Sequence, residues 1–172
     1  MRALVAMASR HGSTVELSRA IAQVLRGYQV QVETSAVDRV ADLRRYGAVV
    51  LGSAVYQGSW TDAARIFVTQ HEDALCRVPL WLFSSGPVGG RWYDELPEEV
   101  SDLHGRLRAR SHRVFSGRLD RGLLSDPERG ALGPGGPRGA DDRDWGAVRS
   151  WARGIAESLT DPDRCGCVRS DR

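Results

Sequence analysis

The sequence predicts an α/β fold, a three-layer, doubly wound, five-stranded parallel sheet of order 2-1-3-4-5. Three observations predict it. Near-continuous apolar runs recur at residues 3–7, 48–51 and 80–83, the pattern of strands buried on both faces. Each run passes at once into a turn rich in glycine and hydroxyl residues. The stretches between carry apolar residues every three or four positions, the one-sided stripe of a helix packed on a sheet.

The first strand, with Ala3, Leu4, Val5 and Met7, leads into Ser9, Arg10, His11, Gly12, Ser13 and Thr14. A helix with Leu17, Ile21, Val24 and Leu25 on one side follows directly. A strand, a hydroxyl-rich turn and a helix suit an anion. The first N–H groups of the helix have no partner inside it, and its positive dipole end faces the turn. Ser13 followed by Glu16 equally fits a capping box, which would occupy some of those donors with no ligand. At this point both readings stand.

Gly27 and Tyr28 break the helix, and residues 30–35 alternate like a strand nearer the sheet edge. Residues 37–45 are polar around Val40 and Leu43, enough for one or two helical turns at most. The apolar run at 48–51 ends at Gly52 and Ser53. A loop of Ser53, Ala54, Val55, Tyr56, Gln57, Gly58, Ser59 and Trp60 follows, and Ser59 and Asp62 are the candidate caps of the next helix. That helix has an inner stripe of Ala64, Phe67, Val68 and Leu75. The run at 80–83 enters a glycine-rich turn of Ser84, Ser85, Gly86, Pro87, Val88 and Gly89. A helix striped by Leu96, Val100, Leu103 and Leu107 leads to a short strand at 112–115. Residues 118–143, rich in Gly, Pro and charge, predict a long, mobile loop. The last helix shows Trp145, Val148, Trp151, Ala152, Ile155 and Leu159 on one side. Residues 1–160 are thus expected to form one domain, and 161–172 a polar tail.

A chain of 172 residues buries roughly 70% of its unfolded surface, enough for one such core without metal or disulfide support. The formal net charge is +2 with both signs interspersed, which excludes a nucleic-acid-binding stripe. All 24 basic residues other than histidine are arginine, which excludes a Walker-type phosphate loop and a Schiff-base lysine. Cys76, Cys165 and Cys167 are an odd set, unlike a disulfide framework. His71, His104 and His112 lack ligand spacing and read as surface or helix-face residues, so no metal site is expected. The N-terminus lacks signal-peptide patterning and no apolar run reaches membrane-spanning length, so the expectation is a cytoplasmic protein with no transmembrane segment.

In a sheet of order 2-1-3-4-5 the connections change direction between the first and third strands, and ligands bind beyond the strand ends there. The turns at 9–14, 53–60 and 84–89 converge on that edge. One suits a phosphate, one carries aromatics and one has little side-chain bulk, a combination that fits a flat aromatic cofactor bearing one phosphate. Tyr56 and Trp60 either wall its ring or pack on the neighbouring helix. Gly58, Gly86 and Gly89 either admit close backbone approach or serve plain turns. A single glycine in the first turn excludes a dinucleotide fingerprint, and the want of an acid at the first strand's end excludes a phospho-receiver.

The segments ASRHGST at 8–14, YGAVVLGSAVYQG at 46–58, and DRDW with SWARGIA in the last helix resemble the flavodoxin-like FMN-binding family. More narrowly, they resemble the branch that includes bacterial menaquinone-dependent protoporphyrinogen IX dehydrogenase. The resemblance implies FMN, with its phosphate against Ser9, Arg10, His11, Gly12, Ser13 and Thr14. It places the isoalloxazine between Ser53, Ala54, Val55, Tyr56, Gln57 and Gly58 on one side and Ser84, Ser85, Gly86, Pro87, Val88 and Gly89 on the other. His11 stands where many members have threonine, an imidazole in place of a hydroxyl. The function so implied is an FMN-dependent oxidoreductase acting on protoporphyrinogen IX or a similar small substrate, as in heme biosynthesis, with a quinone or a redox protein as partner. Residues 118–143 lack the apolar content that membrane-active members carry before the last helix. The alternatives are a protein-to-protein electron carrier and a flavin-free interaction module. The charge of +2 weighs against the carrier, since such carriers are usually acidic to dock basic partners. No catalytic residue is assigned, because neither flanking loop holds a histidine or a carboxylate and Asp94 and Glu95 are only nearby.

Overall fold

A computed structural model describes residues 1–56, 58–86, 98–124, 126–131 and 139–161. Five parallel strands make the sheet: β1 (Arg2–Ala8), β2 (Gln31–Ala36), β3 (Ala48–Tyr56), β4 (Leu80–Ser85) and β5 (Ser111–Phe115). Their spatial order is β2-β1-β3-β4-β5, as the sequence predicts. The helices are α1 (Ser13–Gly27), α2 (Asp62–Leu75), α3 (Glu98–Arg106), α4 (Asp126–Ala131) and α5 (Trp145–Thr160). Among the described residues no helix is long and apolar enough to cross a membrane.

The apolar runs are continuous because consecutive residues serve opposite layers. Leu4, Ala6, Val49, Leu51, Leu80 and Leu82 pack with Phe67 and Val68 of α2 and with Val100 and Leu103 of α3. Ala3, Val5, Ala48, Val50, Trp81 and Phe83 pack with Leu17, Ile21 and Leu25 of α1 and with Val148, Ala152 and Ile155 of α5. Each large aliphatic residue buried in this way contributes about 1.5–3 kcal/mol. Gly52 lies in register with Phe83, and a Cβ added to it would fall 2.0 Å from Phe83 Cζ. The missing side chain therefore makes room for the ring.

Several elements differ from the sequence expectation. β3 does not end at Gly52 and Ser53; Val55 and Tyr56 pair antiparallel with Trp60 and Ser59, so a small hairpin carries the strand onward. α2 is capped by neither Ser59 nor Asp62. Thr61 is the cap, accepting a hydrogen bond from the Ala64 N–H at 3.4 Å. Residues 37–45 keep to expectation, with a single short 3-10 turn at Val37–Arg39. The stretch at 118–143 is not an unstructured loop where it is described. Strands β6 (Arg118–Asp120) and β7 (Gly139–Asp141) form an antiparallel ribbon, with α4 between them in the chain. Leu96, Asp94, Glu95 and the tail from 162 onward lie outside the described residues.

Candidate functional site

The carboxyl ends of β1 and β3 lie side by side, with Ala8 in register with Ser53. The turn after β1 meets α1 through Gly12, whose φ of 84° is left-handed and therefore favours glycine. Gly12 caps the helix with no side-chain hydrogen bond, and a Cβ there would meet nothing within 4 Å. The capping-box reading is thus overturned. With Gly12 as the cap, Ser13 becomes the first helical residue, and Glu16 pairs with Arg143 at 2.7 Å and Arg118 at 3.2 Å instead.

Thr14 is fully buried, and its Oγ1 has no hydrogen-bond partner. Leaving such a hydroxyl unsatisfied costs about 1–3 kcal/mol, so the exception calls for an explanation. Thr14 is the second residue of α1, so this hydroxyl belongs to the first turn of the helix, beside the Gly12 cap. Ser13 Oγ accepts a hydrogen bond from the Arg118 N–H at 3.1 Å and one from Ser85 Oγ at 3.5 Å. Ser9 Oγ accepts from the Gly12 N–H at 3.1 Å, which fixes the turn.

Arg10, His11 and Tyr56 are brought together at the same edge. The Arg10 guanidinium lies 4.8 Å from the centroid of the half-buried Tyr56 ring, and the His11 ring stands edge-on to it at 6.1 Å. Gly58 takes the left-handed φ of 81° that the hairpin requires. Ser53 faces inward: it is fully buried, its hydroxyl donates to the Ala54 carbonyl at 2.9 Å and accepts from the Thr61 N–H at 3.1 Å. Ala54 is buried beside it, and Val55 packs against the core.

The third turn splits between two faces. Ser85 reaches Ser13, whereas Ser84 Oγ accepts from Trp60 Nε1 at 2.8 Å and lies 2.9 Å from His112 Nε2. Trp60, 2% exposed, is therefore a core residue rather than a wall for a ring, and of the two readings held open the packing one is correct. Gly86 donates its N–H to the Phe115 carbonyl at 2.8 Å, and its own oxygen would lie 2.5 Å from a Cβ on Gly117. Gln57, Pro87, Val88 and Gly89 lie outside the described residues.

Two features were not read from the sequence. His112 is not on a surface or helix face; it lies in β5 in register with Leu82, largely buried, and its Nδ1 has no partner. Burial, helped by the charge of His104, pushes its pKa down to about 4, so the ring is neutral. The signal was the alternation along β5, which puts His112 on the Leu82 face. The other feature is the Glu16, Arg118 and Arg143 cluster, whose members are too far apart in sequence for any spacing rule to join. No group of His, Cys, Asp and Glu able to hold a metal occurs among the described residues.

The flavodoxin domain family matches residues 4–130. The chain belongs to that family. Among solved structures, a flavodoxin from the domain Archaea is similar with a TM-score of 0.64 at 15% identity, covering 92% of this chain and 99% of the other. The flavodoxin of Streptococcus pneumonia TIGR4 gives 0.62 at 15% identity, over 92% and 99% of the two chains. Rubredoxin oxygen:oxidoreductase from Desulfovibrio gigas gives 0.62 at 12%, over 92% of this chain but 36% of that one. At such identities the likeness is one of fold. No curated protein matches the chain.

Proposed function

We propose that this member of the flavodoxin family binds FMN at the β1 and β3 edge and works as a cytoplasmic FMN-dependent oxidoreductase, with residues 1–160 acting as one domain. One observation carries the reading. The mouth of α1 has no side-chain cap, open space at Gly12, and a fully buried Thr14 hydroxyl that lacks a partner. A phosphate monoester supplies what that mouth wants, an acceptor for the first N–H groups and for the hydroxyl. Ser9, Arg10, His11, Gly12, Ser13 and Thr14 would hold the phosphate. Tyr56 and Gly58 would flank the ring on one side and Gly86 on the other, with Gln57, Pro87, Val88 and Gly89 completing the two turns.

When bound, the flavin supplies the redox chemistry; the protein supplies position and electrostatics. Ser53 and Ser84 take part through the backbone they brace, since both hydroxyls are spent in the interior. Protoporphyrinogen IX or a similar small reductant as substrate rests on the resemblance of residues 8–14 and 46–58, and the charge of +2 supports an enzyme over an acidic carrier. The carrier reading is favoured by a different observation. At this edge the side chains brought against Tyr56 are a guanidinium, Arg10, and the ring of His11, with no carboxylate among the described residues of the turns at 9–14 and 53–60.

Visible absorbance of the purified protein, followed by release and identification of the chromophore, tests the cofactor. FMN is expected, and a colourless protein that does not take up added FMN overturns the reading. Reductive titration then separates the two uses. A single two-electron stage marks the oxidoreductase, and two one-electron stages mark the carrier.

A further inference from the structure

We propose that Arg118 and Arg143 make the mouth of α1 receptive to an anion by holding and offsetting Glu16, an inference that rests on the phosphate reading above. Glu16 stands in the first turn of α1. A carboxylate there occupies the positive end of the helix dipole and opposes any second anion. In this chain both of its oxygens are taken from outside the helix. Arg143 Nη1 donates to Oε2 at 2.7 Å, and Arg118 Nη1 lies 3.2 Å from Oε1.

Neither arginine is loosely placed. The Arg143 side chain is 3% exposed, forks through Nε and Nη2 onto Asp141, and lies 4.6 Å from the Trp145 ring centroid. Arg118 is in register with Asp141 across the ribbon, and its main-chain N–H donates to Ser13 Oγ at 3.1 Å. The ribbon therefore brings Arg118 to the carboxylate, holds Arg143, two residues past its end, against the same group through Asp141, and anchors itself on the first helical residue. The Thr14 hydroxyl, fully buried and partnerless in the same turn, independently marks this mouth as built for a ligand. Both arginines are positioning residues: they act on the anion through Glu16 without touching it. The 118–143 region thereby sets how tightly a phosphate monoester is held.

FMN and riboflavin, which differ by the phosphate alone, provide the test, with affinities read from quenching of flavin fluorescence on binding. Wild type is expected to prefer FMN. Arg118→Met should lower FMN affinity about five- to twentyfold and leave riboflavin affinity unchanged. Adding Glu16→Gln to Arg118→Met should restore most of the loss, because the uncompensated carboxylate is gone. Arg143→Met should act in the same direction. Arg118 is the deciding variant, its side chain being 34% exposed where that of Arg143 is interior. An Arg118→Met protein whose FMN-to-riboflavin ratio stays within about twofold of wild type overturns the inference. So does an equal loss of both ligands, which marks a merely structural role. A wild type with no preference for FMN over riboflavin overturns the phosphate reading itself, and this inference with it.

Discussion

Thr14 is a single position at which stability and ligand binding pull apart, and Gly52 is one argued on packing alone. Replacing Thr14 by the isosteric valine removes a hydroxyl that has no partner in the protein, so the folded state should be unharmed or more stable by about 1 kcal/mol. The same change should weaken FMN retention about tenfold or more, because a charge-assisted donor is lost. Thermal unfolding and flavin release, measured on one preparation, check both halves; a valine variant that keeps its flavin would show that the hydroxyl serves something else. Gly52 has no such second role. Gly52→Ala sets a methyl 2.0 Å from Phe83 Cζ, and the ring must leave its site between β4 and α5. Destabilisation of about 2–4 kcal/mol is expected in denaturant unfolding, with recovery when Phe83→Leu is added.

At the level of elements, the start of α2 shows how tertiary pairing overrides a local signal. Ser59 and Asp62 flank the helix start with the right residue types, yet the antiparallel pairing of Val55 and Tyr56 with Trp60 and Ser59 draws Ser59 into a strand and leaves the cap to Thr61. Thr61→Ala should therefore lower stability by about 1 kcal/mol, while Ser59→Ala should change it by less than about 0.5 kcal/mol. Equal effects in chemical denaturation would contradict this assignment. The pattern of what was legible follows the range of the forces involved. The three apolar runs and the stripes of α1, α2 and α5 announce themselves within a few residues, because period and burial are local properties. The turn at Ser9, Arg10, His11, Gly12, Ser13 and Thr14 was legible for the same reason. The ribbon of β6 and β7 was not, since its strands are short and polar and are held by Glu16 and Ser13, more than a hundred residues away in the chain. For Trp60 the sequence left a ligand wall and a packed side chain both open, because no local rule reveals that Ser84 accepts from its indole N–H.

Across the whole molecule, pH acts through His112 on the balance between folded and unfolded chains. The folded ring stays neutral down to about pH 4, because it is buried against Ser84 and near the charge of His104, whereas in the unfolded chain it takes up a proton near pH 6.5. Between those values the unfolded state binds more protons, so stability rises with pH across that window and is lost as pH falls from about 6.5 to 4. The full span corresponds to no more than about 3 kcal/mol. Glu33, Asp42 and Asp141 have carboxyls held below their ordinary values, chiefly by hydrogen bonds from Tyr46, Arg44 and Arg143 respectively, and they add losses centred at lower pH. Comparing urea unfolding of wild type with His112→Leu isolates the ring, since the carboxylates are common to both. Leucine leaves Ser84 its bond from Trp60 and removes the buried, partnerless Nδ1. The stability of the variant should therefore fall less steeply between pH 6.5 and 4, and the two curves should diverge as the pH drops. Curves that run parallel through that window would mean that the ring is protonated, or solvated, in the folded state as readily as in the unfolded one.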